Sequence, residues 1–235
     1  MDDYKKIYQT LLEPFQERLW SHEMTSCPVI VGSNYETSPF RMLYIGRAVN
    51  GWEFDWHEDT LEGLVNQVFS HWFDVDSIST TPIQPDGYNF NRSPFWQLCY
   101  KLLELNGEAA EWSSRVAWSN LFKVAPYSRY NPDGKDIVRQ IKPCIELIKK
   151  EIEMLKPTHV VFVTDTWWME PADYTDASFA KELGITLVSD STNTIVGQGT
   201  YNGTKMVVTK RPETAKTSRA DHAQQIIDTF SSLSL

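Results

Sequence analysis

Two hydrophobic rhythms follow one another along the chain, and their order predicts the architecture. Tyr4, Ile7, Tyr8, Leu11, Leu12, Phe15 and Leu19 recur at steps of three and four, the spacing of one buried helical stripe. Residues 24–41, broken by Pro28, Gly32, Ser33, Asn34, Ser38 and Pro39, read as a loop. An apolar run, Met42-Leu43-Tyr44-Ile45, then stops at Gly46, as a buried strand does on entering a turn. Leu61, Leu64, Val65, Val68, Phe69 and Trp72 predict a second helix, and a polar, turn-rich connection over 74–92 follows it. Ser93-Pro94 supplies an N-cap and a first helical residue for a helix through Phe95, Leu98, Leu102 and Leu105 that stops at Asn106-Gly107.

The pattern then repeats. A strand at Val116–Ser119 runs into Asn120–Pro126, and Asn131-Pro132-Asp133-Gly134 turns the chain into a helix carried by Ile141, Ile145, Ile148, Ile152 and Leu155. Pro143 lies inside that stripe, so the main helix is expected to start there after a short separate turn. His159–Thr164 is a continuous apolar strand of the kind covered on both faces. A short helix around Ser178–Leu183, a strand at Ile185–Val188, a polar segment from Ser189 to Gly203, a core strand Met206–Thr209 and a last helix through Ala223, Ile226, Ile227 and Phe230 complete the chain. Strands alternating with helices predict an α/β fold, a three-layer α/β/α sandwich around a mostly parallel sheet of four to five strands. A length of 235 residues suits a single domain, 1–40 forming an N-terminal helix and loop and 41–230 the core.

Composition narrows the setting. Cys27, Cys99 and Cys144 are far apart and form no CxxC pair, which predicts a reducing, cytoplasmic environment and no structural zinc. The amino terminus carries early acids and no apolar run, so no signal peptide is expected. No run is long and apolar enough to cross a membrane. The sequons Asn91-Arg92-Ser93 and Asn202-Gly203-Thr204 are therefore expected to be chance. Charge is uneven: residues 1–90 hold fourteen acids and five basic residues, whereas 91–235 are balanced. Within the balanced part, Lys205, Lys210, Arg211, Lys216 and Arg219 form a basic strip opposed only by Glu213. The strip can hold phosphates on an acidic body, or be no more than a solvated face.

In a parallel sheet, ligands bind beyond the carboxyl ends of the strands. Those ends are Arg47–Trp56, Asn120–Pro126, Thr164–Trp168 and Lys210–Glu213. Together they offer Asn50, Asn120, the acids Glu53 and Asp55, the pair Asp165-Thr166, a Lys-Arg pair, and the aromatics Trp52, Phe54, Trp56, Phe122, Trp167 and Trp168. Flat rings, amides and cations on one rim suit a planar hydrogen-bonding ligand attached to phosphate. Other readings stay open. The alternation of Trp52, Phe54 and Trp56 fits a half-buried edge strand, Trp167-Trp168 fits one core and one surface residue, and Asn120 fits a turn cap. His57-Glu58-Asp59 lacks the second His of a zinc helix, and His222 is expected on the surface of the last helix.

With these motifs the chain resembles the uracil-DNA glycosylase superfamily over about residues 40–228. The likeness rests on Gly46-Arg47-Ala48-Val49-Asn50-Gly51 after the first strand, Asn120 closing a hydrophobic strand, the helix-strand join Glu146–Val163, and Lys210-Arg211-Pro212-Glu213 in the place of the last, proline-containing motif. It implies a monomeric enzyme, without metal or organic cofactor, that hydrolyses the N-glycosidic bond of a base flipped out of DNA. It implies that Asn120 reads the base and that Gly46, Arg47, Trp52, Phe54 and Trp167 surround it. Arg211 stands where the family has a leaving-group His, and Lys123, Lys210, Lys216 and Arg219 would face DNA phosphates. The chain departs from the family in the first turn, where Arg47 and Ala48 replace the usual acid or amide. The water-positioning role then falls to Asn50, Glu53 or Asp55, and uracil as the substrate is put in doubt. The aromatic entrance suggests an enlarged base, such as the glucosylated hydroxymethylcytosine removed by phage-defence glycosylases that look related. A non-catalytic nucleic-acid-binding module and a hydrolase of free nucleosides or nucleotides are the alternatives.

Overall fold

A computed structural model describes residues 2–48, 92–128, 130–188 and 192–234. The helix expected over 61–72, the connection over 74–91 and the aromatic-acidic segment with Asn50, Trp52, Glu53, Phe54 and Asp55 lie outside the described residues.

The central element is a mixed seven-stranded sheet in the order β2-β4-β3-β6-β9-β8-β7. Its four middle strands, β4 (Val116–Phe122), β3 (Met42–Ala48), β6 (His159–Val163) and β9 (Thr204–Thr209), are parallel. One edge is closed by the antiparallel β2 (Ile30–Val31), the other by β8 (Ile195–Tyr201) and β7 (Ile185–Leu187). A separate two-stranded ladder joins β1 (Met24–Ser26) to β5 (Val124–Pro126). The expected four to five strands thus undercount the sheet. The segment taken as a loop contributes β1 and β2, and the polar stretch contributes β8.

Strand β8 is polar because it lies near an edge, where only part of each face is covered; it reads IVGQGTY with Gln198 and Thr200 exposed. The turn that returns it to β9 is Asn202-Gly203, with φ of 48° and 78°. Both residues are left-handed, as a two-residue hairpin requires. The second sequon is therefore a hairpin turn signal.

Two apolar layers cover the sheet. Alternation on β3 sends Leu43 and Ile45 to one layer and Met42 and Tyr44 to the other. The first layer packs under α1 (Asp2–Leu12) and α4 (Gly134–Leu155), the second under α3 (Pro94–Leu105) and α7 (Arg219–Ser232). The amphipathic stripe of residues 4–19 is not one helix. Pro14 opens a 3₁₀ turn at Glu13–Phe15, and α2 (Gln16–Trp20) follows. Pro143, conversely, does not delay the long helix. It sits inside an unbroken α4, between buried Ile141 and Cys144–Ile145. The carbonyl deprived of its partner belongs to Arg139, on the solvent-exposed face of the helix.

The strand order reverses direction between β3 and β6: the chain leaves β3 toward β4 and leaves β6 toward β9. In an open α/β sheet such a switch point is where a ligand-binding crevice is expected, beyond the carboxyl ends of the strands. The β3–β6 ladder ends at Ile45 and Phe162, whereas β3 continues to Ala48 beside β4.

Candidate functional site

Asn120 is the residue around which the rim is built. It pairs with Gly46 across the β3–β4 ladder and is 97% buried, with an Oδ1 that would lie 2.7 Å from any Cβ placed on Gly46. Gly46 thus has no side chain because the Asn120 amide occupies that space. The Nδ2 of Asn120 is buried and donates to no atom among the described residues. Buried amides are almost always bonded, so an unpaired one beside the switch point marks a place where a ligand completes the pairing. A turn cap would have used this amide; the structure does not show one.

The neighbours of Asn120 come from α3 and the last motif. Phe95 lies 3.5 Å from where a Cβ on Gly46 would stand, and its ring is tilted by 53° against Tyr44 at 4.6 Å between centroids. The Tyr44 hydroxyl donates to the Phe95 carbonyl at 2.8 Å. Burial pushes the Tyr44 phenol well up, Cys99 and Glu213 add to this, and Arg211 and Arg219 oppose it. Arg211 and Arg219 therefore share the α3–α7 side of the rim with Asn120. Arg211 is held by Glu213 through two bonds of 2.7 and 3.2 Å. Arg219 donates to the Pro212 carbonyl at 2.7 Å, and its buried Nε has no partner among the described residues.

Arg47 follows Gly46 and so leaves β3 on the opposite face. Its Nε donates to the Thr164 carbonyl at 2.9 Å, bridging the crevice, and its guanidinium lies 5.4 Å from the Trp168 ring centre. Burial lowers the Arg47 pKa, Arg211 lowers it further, and Asp165 and Glu213 oppose both. The two halves of the rim are thus within electrostatic reach of one another.

Asp165, beyond β6, belongs to the Asp-Thr pair that the sequence places on the rim without giving it a role. Its φ of 73° and ψ of 168° fall in a region that only glycine adopts without strain. Its N–H donates to the Thr209 carbonyl at 3.1 Å, and its side chain accepts from Thr166 N–H at 2.8 Å, opening α5 (Thr166–Met169). Strain of this kind gathers at functional positions. A conformation cannot be read from the residue name, so composition carried no signal for it.

Two expectations are corrected. Lys123 faces no phosphate: it is fully buried and bonds Glu151 at 2.6 Å and Ser119. His222 is not on the surface. It is fully buried against Thr209, whose hydroxyl donates to the Thr194 carbonyl and so accepts from Nε2–H at 2.6 Å. Burial and Arg219 pull the His222 pKa down to about 4, which keeps it neutral. The Trp pair divides as one of its two readings expected, into one core and one surface residue: Trp168, under Arg47, is 8% exposed, and Trp167 is 37% exposed. Lys216 is exposed and Lys210 half-buried.

Among the described residues, no cluster of His, Cys, Asp or Glu could hold a metal ion, and no helix is long and apolar enough to cross a membrane. No protein-family model matches the chain, and no curated protein matches it either.

Proposed function

We propose that this chain is a DNA glycosylase that hydrolyses the N-glycosidic bond of a flipped, modified base and leaves an abasic site. The observation that carries this reading is the Asn120 amide, buried beside Gly46 at the carboxyl end of β4 with an unpaired Nδ2. A carboxamide offers a donor and an acceptor side by side, which is what the edge of a nucleobase takes. Phe95 stands next to it as a flat apolar wall.

Cleavage leaves the base with excess negative charge and the sugar with positive charge. Arg211 and Arg219, on the Asn120 side of the rim, serve the departing base and the flanking phosphates. On the sugar side Asp165 offers a carboxylate within reach of Arg47, which answers the missing acid of the first turn. Asn50, Glu53 and Asp55 remain candidates for positioning the water. An enlarged base, glucosylated hydroxymethylcytosine of phage DNA among them, is the substrate class that the departures in the first turn favour over uracil.

The test is release of free base, followed by mass spectrometry and alkaline strand cleavage, over DNAs carrying uracil, deaminated, oxidised and glucosylated bases. One of these should yield product, and Asn120→Ala should cut the rate by about 10²–10³-fold while the protein still folds. Absence of abasic product across the whole panel would overturn the enzyme reading. A second reading, a nucleic-acid-binding module without catalysis, is favoured by Arg47 and Ala48 in the first turn and by the engagement of Arg211 with Glu213. It predicts binding that Asn120→Ala weakens, with no base released from any substrate.

A further inference from the structure

We infer that the groove between the first turns of α4 and Tyr174 is a docking surface for a single strand of DNA, linked to the rim by packed aromatic rings that emerge from the core at Trp167. The choice of occupant rests on the glycosylase reading.

The row begins where Arg47 lies over Trp168 at 5.4 Å. Trp168 meets Trp167 edge-on at 4.9 Å, and Trp167 meets Tyr174 edge-on at 6.0 Å. A bond of 3.0 Å from Trp167 Nε1 to Asp173 fixes the middle ring. Tyr174 lies flat against Gly134, so close that a Cβ there would meet its ring at 2.4 Å. Beyond it opens a groove of about 610 Å³ lined by Gly134, Lys135, Val138, Arg139 and Tyr174, with Asp133 at one end. Trp167, Tyr174 and Val138 are 37%, 49% and 50% exposed. Rings and an aliphatic floor of that size, open to water and beside a candidate site, need an occupant.

The charge on its edge points to a polyanion. Lys135, Arg139 and Lys142 recur at steps of four and three on the exposed face of α4. Lys135 and Lys142 form no ion pair among the described residues. Arg139 has only a 3.7 Å contact with Asp136, whose carboxylate is taken by Arg18 at 2.7 Å. The nearby acids have internal duties: Asp133 caps α4 through Asp136 N–H, and Asp173 holds Trp167. On a chain of net charge −9, this cationic row along an aromatic groove stands out. Rings that receive bases and cations that follow phosphates are the parts of a single-strand site. Duplex DNA is disfavoured there, because its bases are already stacked on one another. The strand flanking a flipped nucleotide can meet the rings once it is unpaired.

Fluorescence anisotropy with undamaged oligothymidine, and with a duplex of the same length, tests this without reference to catalysis. The wild type should prefer the single strand. Tyr174→Ser should weaken it about tenfold, and the triple variant Lys135→Gln/Arg139→Gln/Lys142→Gln should flatten the slope of log K against log salt by about 2. All four side chains are exposed or at the groove mouth, and unchanged circular dichroism and Tm will show that the variants fold. Equal affinity of wild type and variants would overturn the proposal. So would sedimentation of the wild type as a dimer that Tyr174→Ser dissociates, since the groove would then be an interface between copies. Single-strand binding lost with Tyr174→Ser, in a protein that releases no base, would support the groove and sink the enzyme reading alone. Base release with oligothymidine binding indifferent to Tyr174 would sink only the groove.

Discussion

Ser119 and Asn120 are consecutive residues of β4, both buried, and they meet opposite fates. Ser119 points into the layer under α1 and α4, where its hydroxyl donates to Glu151 at 2.8 Å. Glu151 also receives Lys123 at 2.6 Å and the Tyr4 hydroxyl at 2.8 Å, all without access to water. Every polar group in that knot has a partner within the chain. Asn120 points into the other layer, and its Nδ2 has none among the described residues. The contrast separates two uses of buried polarity. A closed network ties α1, β4 and α4 together and has nothing left to offer a ligand. An amide held in place with one donor unspent costs the fold free energy until something fills it. A basic residue near a strand end is therefore no sign of a phosphate site by itself; what decides is whether its charge is already answered.

The comparison can be broken most forcefully at Lys123. Lys123→Met should destabilise the protein by about 3–5 kcal/mol, because it strands the Glu151 carboxylate in an apolar layer. Lys123→Met/Glu151→Met should recover much of that loss in urea unfolding. If the single variant were as stable as the wild type, the closed network would not be holding the fold.

A smaller effect belongs to His222. Its folded pKa of about 4 lies below the ordinary 6.5, so the unfolded chain takes up the proton first. The stability it confers is complete above pH 6.5 and is lost as pH falls from 6.5 toward 4, by about 2–3 kcal/mol. His159, lowered to about 4 by burial and by Lys205, acts in the same direction. Urea unfolding of His222→Gln should show a shallower decline over that interval, with the remainder due to His159. A pH dependence identical to that of the wild type would mean that His222 is not buried as a neutral ring.

Gly46→Ala probes the open side. The added methyl falls on Asn120 Oδ1, so the amide must move, at a cost of about 1–3 kcal/mol for overpacking. Base release, or nucleic-acid binding if there is no release, should fall about as far as in Asn120→Ala. Full activity in Gly46→Ala would show that the position of the amide is not critical.

The smallest change is expected at the exposed ion pair on the rim. Glu213→Gln should alter stability by less than about 1 kcal/mol, since Arg211 and Glu213 are each more than a third exposed. Set beside Lys123→Met, it measures how far burial alone sets the worth of an ion pair. It also releases Arg211, so a change in ligand affinity with no change in Tm would locate Arg211 at the ligand.

Much of this molecule is legible in its sequence because burial follows a period. Met42–Ile45 and His159–Val163 are strands because unbroken apolar runs bounded by turn residues have few other uses. The stripe of Ile141, Ile145, Ile148 and Ile152 is a helix for the same kind of reason. The rim follows from the order of these elements, since parallel strands bring Gly46, Asn120, Asp165 and Arg211 to one end of the sheet. What the sequence could not decide depends on partners distant in the chain. Lys123 is buried because Glu151 waits 28 residues away, and His222 because Thr209 accepts its proton. Strand β8 exists because β7 and β9 flank it, although its own residues are polar. Trp168 rather than Trp167 lies under Arg47 because α5 begins at a strained Asp165. Local pattern carries the preference of each residue for water or for the interior; only the assembled layers decide which polar group finds its complement and which is left open.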